Sequence, residues 1–142
     1  MPAAQPSAPT GFDLSVPATA ENVAVVRHAF GGLGEGLGLD EHLIADIKLA
    51  VTEACTNVVV HAYPEGDGQM DVSAEVEGST LTIVVADHGS GLLPRLDSPG
   101  LGLGLPLIAT LATSLELDTE SERTLVRIAF DLDAPVRDRA EN

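Results

Sequence analysis

The stretch DIKLAVTEACTNVVVHAY, residues 46–63, carries the strongest structural signal in the 142-residue chain. Its apolar residues recur at helical spacing and Asp40 precedes it as an N-cap, so the sequence predicts a long helix that ends at about His61. Glu53 and Asn57 are spaced four residues apart, and with His61 they form one stripe beside the apolar one. A solvated helix face explains this stripe on spacing alone. The alternative is a site in which the carboxylate acts as a general base and the amide oxygen binds Mg²⁺.

The elements on either side of this helix predict an α+β fold. Residues 12–16 alternate as a first strand, and residues 18–30 are predicted to form a helix with Thr19 as its N-cap. The glycine-rich stretch 31–38 is predicted to break that helix. The elements that follow are strands at 69–76 and 80–86, a helix at about 103–112, and strands at 116–119 and 124–132. This order predicts a two-layer α/β sandwich whose mixed, mostly antiparallel sheet carries helices on one face.

Length and charge limit the classes of function. The chain suits one domain, which we expect at residues 12–132, between a disordered leader at 1–11 and a flexible tail at 133–142. Its formal net charge of −15 argues against direct binding to nucleic acid or to an anionic membrane surface. The sequence shows neither an apolar run of about 18 residues nor a signal peptide, so we expect a cytoplasmic protein.

A second polar cluster, Asp87-His88-Gly89-Ser90-Gly91, directly follows the most apolar of the predicted strands. Asp and Gly are ordinary turn residues, so a turn explains the cluster by itself. An aspartate at a strand end can also act as a directed acceptor, to which the exocyclic amine of adenine would fit. Gly89 and Gly91 would then let a flat ligand approach the backbone closely.

A third cluster consists of Gly100, Gly102 and Gly104, which lead into the helix predicted at 103–112. Glycines before a helix can serve packing alone, but they also leave N–H groups free at the positive end of the helix dipole, where a phosphate can bind. The cluster is not a Walker loop, because the sequence contains no Gly-Lys-Ser/Thr. It is not a Rossmann fingerprint either, because Leu105 occupies the position of the third glycine.

Taken in order, the three clusters resemble the sequence boxes of the GHKL (Bergerat-type) ATP-binding fold. Residues 46–63 are similar to its asparagine box, residues 84–92 to its first glycine box, and residues 100–107 to its second. Within that fold the sequence looks most like the anti-sigma factor serine/threonine protein kinases, over roughly residues 12–132. The resemblance implies an enzyme that uses ATP and Mg²⁺.

The resemblance also implies roles for individual residues. Glu53 would be the base that takes the proton from a substrate serine, Asn57 would hold Mg²⁺ against the ATP phosphates, and Asp87 would bind adenine. The remaining implied residues surround the nucleotide: Gly89 and Gly91 at the base, Gly100, Gly102 and Gly104 at the lid and phosphates, and Thr124 near the adenine. His61 belongs to the same box, and we expect it to pack or cap the helix end rather than to act in catalysis.

The partners that the resemblance implies are two proteins. One is a STAS-type anti-anti-sigma factor, whose serine is phosphorylated, and the other is an alternative sigma factor, which is sequestered. Phosphorylation would switch the protein between them, and a homodimer is expected from the family.

Alternative functions remain open at this stage. Only eight residues, 92–99, separate the two glycine boxes, a shorter lid than in the best-known family members. This favours a partner-switching module that binds ATP without significant kinase activity. The ATP-binding half of a histidine kinase is disfavoured, because no pair of dimerisation helices with a phospho-accepting histidine is evident. The last alternative is a plain α+β domain in which the glycines only form turns. It would require the three boxes to occur in this order by chance.

Overall fold

A five-stranded sheet forms one layer of the protein. The structure, a computed structural model, describes residues 10–63, 68–89, 104–120 and 123–133. The strands are β1 (Thr10–Pro17), β2 (Gln69–Glu77), β3 (Thr80–Asp87), β4 (Ser114–Glu120) and β5 (Arg123–Asp131). They are arranged in the order β1-β2-β3-β5-β4, so β3 occupies the central position that its apolar sequence predicts.

All four strand pairings are antiparallel. The predicted α+β sandwich is therefore confirmed, and the strands that the structure describes show no parallel pairing of the kind that a mixed sheet contains. The connectivity explains these pairings. β2 and β3 are adjacent in sequence and form one hairpin. β4 and β5 form a second hairpin, in which β4 lies at the sheet edge and β5 lies between β4 and β3.

Helices cover one face of the sheet. They are α1 (Ala20–Gly36), α2 (Glu41–Asn57) and α3 (Gly104–Leu111), and α2 continues into a π-helical turn at Val58–Ala62. Both predicted N-caps are confirmed: the Thr19 hydroxyl accepts a hydrogen bond from Asn22 N at 3.2 Å, and the Asp40 carboxylate accepts one from His42 N at 2.8 Å. No helix among the residues that the structure describes is long and apolar enough to cross a membrane.

The core lies between these helices and the sheet and consists almost entirely of aliphatic side chains. Alternate residues of β2, β3 and β5 point into it, and the other face of the sheet combines polar residues, such as Asp71 and Ser73 of β2, with apolar ones, such as Val84 and Ala86 of β3. Its largest fully buried side chains are Phe30, Ile47, Met70, Leu81, Ile83, Leu105, Ile108 and Ile128. β1 begins at Thr10, inside the predicted leader 1–11, while residues 1–9 and 134–142 lie outside the described residues.

The prediction that the glycine-rich stretch breaks the first helix is wrong, because α1 continues through it to Gly36. Gly34 is buried against α2, where a Cβ would lie 2.7 Å from Cγ1 of Ile44. The close approach of the two helices thus outweighs the low helix propensity of glycine. The helix ends where Gly38 adopts a φ of 72°. Its N–H donates to Glu35 O, and Leu39 N donates to Gly34 O, which is a Schellman motif.

Two glycines of α1 should respond in opposite directions to alanine. Gly34→Ala is expected to lower the free energy of unfolding by about 1–2 kcal/mol, because the new methyl group overlaps the branched Ile44 side chain. Gly32→Ala is the matched control: no atom lies within 4 Å of its Cβ position, so it should raise stability by about 0.5–1 kcal/mol through helix propensity. Urea denaturation measures both changes. Equal effects of the two substitutions would contradict the packing explanation.

Candidate functional site

The residues Glu53, Asn57 and Gly104 meet where α2 faces the start of α3. A Cβ placed on Gly104 would lie 3.2 Å from Asn57 Oδ1, 3.3 Å from Asn57 Nδ2 and 3.5 Å from Glu53 Oε1. Asn57 is only 7% exposed, and its Nδ2 has no hydrogen-bond partner among the residues described. A buried amide without a partner is unfavourable by itself, so this position is suited to a polar ligand.

A second pair of buried polar side chains joins the ends of two strands. Asp87, the last residue of β3, lies opposite Thr124 in the β3–β5 pairing. Both are buried, at 8% and 3% exposure, and the Thr124 Oγ1 has no partner within the described part of the chain. Burial raises the pKa of the Asp87 carboxyl, although the N–H of Gly89, 2.9 Å from Oδ1, and the neighbouring His88 act in the opposite direction. The pair offers a carboxylate acceptor beside a hydroxyl with free hydrogen-bonding capacity.

The π-helical turn at Val58–Ala62 connects the end of α2 with the residues that follow β3. A Cβ on Gly89 would lie 2.0 Å from the carbonyl oxygen of Ala62, so only glycine permits this approach of the two backbones. The sequence predicts a regular helix to about His61 and misses the π turn, for which its only signal is the run of β-branched valines at 58–60. The buried Nε2 of His61 has no partner among the described residues, so no capping bond is made through this nitrogen.

Some residues of the predicted site lie outside the described residues. These are Gly91, Gly100 and Gly102, together with the interval 92–99 between the glycine boxes. Within the ranges described, no group of three His, Cys, Asp or Glu side chains could hold a metal ion. Asn57 remains the candidate oxygen ligand, which is compatible with Mg²⁺ because this cation commonly combines one or two protein ligands with phosphate oxygens.

Tyr63, the residue after the π turn, is a residue of this region for which the sequence predicts no role. Its hydroxyl donates a hydrogen bond to Gln69 O and accepts one from His88 N at 2.8 Å. The tyrosine therefore contacts the residue between Asp87 and Gly89. The one sequence signal is that it is the only tyrosine in the chain and ends the asparagine box.

An antiparallel sheet covered on one face by helices, with Glu53 and Asn57 on one helix and a buried Asp87 at a strand end, defines a class of ATPase domain. Over residues 16–130 the chain matches the family described as "Histidine kinase-like ATPase domain", and it belongs to that family.

Within this family, the chain belongs to the RsbW serine-protein kinases, which confirms the resemblance to the anti-sigma factor kinases. It is 38% identical over 137 residues to Serine-protein kinase RsbW of Halalkalibacterium halodurans, covering 86% of this chain and 84% of the relative. It is 32% identical over 134 residues to Serine-protein kinase RsbW of Bacillus thuringiensis, covering 84% of each chain.

Two solved structures share the fold. One contains the RsbU and RsbW domains of a Mycobacterium tuberculosis protein, with a TM-score of 0.71 and 23% identity. The similarity covers 89% of this chain and 34% of that one. The other is the SiaB–SiaC complex from Pseudomonas aeruginosa, with a TM-score of 0.60, 14% identity and coverage of 84% and 88%. At these identities the likeness concerns the fold alone.

Proposed function

We propose that this protein is an ATP-dependent protein serine kinase that also acts as an anti-sigma factor in a partner-switching pathway. The observation that carries the proposal is the junction of Glu53, Asn57 and Gly104 at the start of a helix. It places a carboxylate beside a buried amide whose Nδ2 has no hydrogen-bond partner in the described part of the chain. The names of the relatives, serine-protein kinases at up to 38% identity among those compared, support it independently.

The buried polar residues fit a nucleotide. Asp87 and Thr124 would recognise adenine, since a carboxylate accepts from its exocyclic amine and the free hydroxyl can donate or accept. Asn57 would hold Mg²⁺ against the phosphates, whose negative charge the cation neutralises when bound. The N–H groups in the first turn of α3 have no partners within the helix and can donate to phosphate oxygens. We assign Gly91, Gly100 and Gly102 to the same site by the family resemblance.

Glu53 would act on the protein substrate. Its carboxylate accepts the proton of the serine hydroxyl as the serine oxygen forms a bond to the γ-phosphorus and the bond from that phosphorus to ADP breaks. Because Asn57 is one helical turn further along α2, the two side chains are held on the same face by a rigid element. The helix thus aligns the base with the phosphate end of the nucleotide.

The proposal includes two protein partners and a location. The serine would belong to a STAS-type anti-anti-sigma factor, and the unphosphorylated partner would compete with an alternative sigma factor for the kinase. We further propose that the protein is a homodimer and acts in the cytoplasm. One observation favours the alternative of a module that binds ATP with little kinase activity, namely the interval of eight residues at 92–99 between the glycine boxes.

The first test is titration calorimetry of the chain with ATP, with Mg²⁺ and then with EDTA. We expect magnesium-dependent binding with a Kd of about 1–100 µM. Incubation of a STAS-domain partner with Mg-ATP should then add one phosphate to that partner, which mass spectrometry detects. Nucleotide binding without transfer to a partner shown to bind would favour the alternative module. Absence of nucleotide binding would overturn both functions.

A further inference from the structure

Tyr63 lies between α2, which carries Glu53 and Asn57, and the end of β3, which carries Asp87. It follows the π-helical turn that extends α2, and its hydroxyl contacts both the start of β2 and the residue after β3. The hydroxyl donates to the carbonyl of Gln69 and accepts from the N–H of His88 at 2.8 Å. One side-chain oxygen thus holds two backbone groups.

The register of the sheet shows what this hydroxyl replaces. Met70 pairs with Asp87 at the end of the β2–β3 ladder, so the next step of the same antiparallel register would bring Gln69 opposite His88. The tyrosine hydroxyl lies between the N–H of His88 and the C=O of Gln69. It ends the ladder directly after Asp87 and fixes the direction in which the chain leaves β3.

The ring of Tyr63 packs closely against the backbone of Gly68. A Cβ on Gly68 would lie 2.2 Å from Cδ1 of the ring, so glycine is needed for the backbone to pack against it. The carbonyl of Gly68 accepts a hydrogen bond from Ala18 N at 2.9 Å, which anchors this backbone to the end of β1. The hydroxyl therefore has a defined position and is not a freely rotating surface group.

Residues 88 and 89, which follow Asp87, are held mainly by the turn that ends α2. His88 N is bound by Tyr63, and Gly89 packs against the carbonyl of Ala62. The side chain of His88 contributes little, because its contact with Asp71 at 3.2 Å is on the sheet face away from the helices and is exposed.

We infer that Tyr63 is a positioning residue for the adenine side of the nucleotide site, where it sets the position of Asp87 and Gly89 relative to the helix of Glu53 and Asn57. The inference rests on the proposed function. Tyr63 acts through the backbone of His88, so its effect should appear in nucleotide affinity and base selectivity and not in the phosphoryl-transfer step.

Tyr63→Phe tests the inference, because it removes the hydroxyl and keeps the ring that packs on Gly68. We expect the Kd for Mg-ATP to rise about tenfold, as is common when a group that supports a ligand-binding residue is removed. The preference for ATP over GTP should fall, because a displaced Asp87 discriminates less well between an amine and a carbonyl. The kcat at saturating ATP should stay within about twofold of wild type, because Glu53 is not disturbed.

Thr113→Val is the matched control. The Thr113 hydroxyl also accepts a hydrogen bond from a backbone N–H at a strand end, that of Asp131 at 2.9 Å, but at the other end of β5 from Thr124. The Thr113→Val variant should change thermal stability to a similar extent as Tyr63→Phe. It should leave the Kd for Mg-ATP and the preference for ATP over GTP unchanged. Equal changes of nucleotide affinity in the two variants would reduce Tyr63 to a general structural role and overturn the inference.

The remaining outcomes are also decisive. Unchanged Kd and base preference in folded Tyr63→Phe would overturn the inference while leaving the proposed function intact. If wild type itself failed to bind Mg-ATP, the proposed function would fall and the inference with it. Should Tyr63→Phe not fold, Gly68→Ala displaces the ring without removing the hydroxyl. A rise in its Kd with loss of base preference supports the inference, and wild-type values contradict it.

Discussion

Glu53→Gln is expected to lower the rate of phosphoryl transfer to a protein serine by about 10²–10⁴-fold, the usual contribution of a general base. The amide matches the carboxylate in shape but cannot accept the serine proton. The Kd for Mg-ATP should stay within about twofold of wild type, since a base that acts on the attacking hydroxyl contributes to the transition state and not to binding of the nucleotide.

The geometry supports this separation of roles. Glu53 Oε1 and Asn57 Oδ1 both lie next to Gly104, but only Asn57 has a buried polar atom, its Nδ2, that lacks a hydrogen-bond partner among the described residues. Transfer is followed by mass spectrometry of the STAS partner, and binding by calorimetry. Glu41→Gln is the matched control, because it makes the same change on the same helix about 18 Å away from Glu53. A large loss of ATP affinity in Glu53→Gln would show that the carboxylate binds nucleotide.

Asp87→Asn is expected to weaken Mg-ATP binding about 10–100-fold, as follows from loss of a hydrogen bond to a charged acceptor. The same substitution should make the unliganded protein more stable at pH 7, with a Tm higher by about 2–5 °C. The substituted amide keeps an oxygen for the N–H of Gly89 but removes the negative charge, whose burial raises the pKa of Asp87. Loss of binding together with a gain of stability is typical of a functional residue.

The pH dependence follows from the direction of the Asp87 pKa shift. The folded protein binds the proton of this carboxyl more readily than the unfolded chain, so the cost of its charge appears as the pH rises through the ordinary aspartate range and then through the raised pKa. Above that pKa the cost is present in full. The Tm advantage of Asp87→Asn should therefore be largest near neutral pH and should shrink as the pH falls toward about 4, near the ordinary aspartate pKa, which calorimetry at both pH values measures.

Asp131→Asn provides the control for both effects. Asp131 also ends a strand, and its Oδ1 accepts a hydrogen bond from the N–H two residues on, that of Asp133 at 3.0 Å. It is exposed, whereas Asp87 is buried. Its substitution should alter neither ATP affinity nor stability appreciably. If Asp131→Asn stabilised the protein as much as Asp87→Asn, burial would not be the cause.

The elements that the sequence predicted correctly are those whose signals are local. Thr19 and Asp40 cap α1 and α2 because a short oxygen-bearing side chain before a helix satisfies free N–H groups within three residues. The strand Thr80–Asp87 is central, as its nearly continuous apolar run at residues 83–86 predicts. Glu53 and Asn57 share a face because helical periodicity requires it.

The elements that it predicted incorrectly depend on contacts between distant residues. Glycine has the same low helix propensity at 32 and 34, and only the packing of Ile44 against Gly34 shows why α1 continues through both. The π turn and the hydrogen bonds of Tyr63 have only weak local signals, because they depend on the approach of residues 62 and 63 to residues 88 and 89.

The sequence by itself determined the class of fold and the family and predicted the polar residues of the candidate site, because periodicity, caps and ordered motifs are properties of short segments. Only the tertiary structure decided that Gly104 lies against Asn57, that Thr124 lies opposite Asp87, and that the Tyr63 hydroxyl bonds to the backbone of Gln69 and His88. The physical reason is that burial and hydrogen-bond satisfaction depend on which segments meet. An amide or hydroxyl becomes an unpartnered group that can bind a ligand only when the surrounding chain excludes water from it.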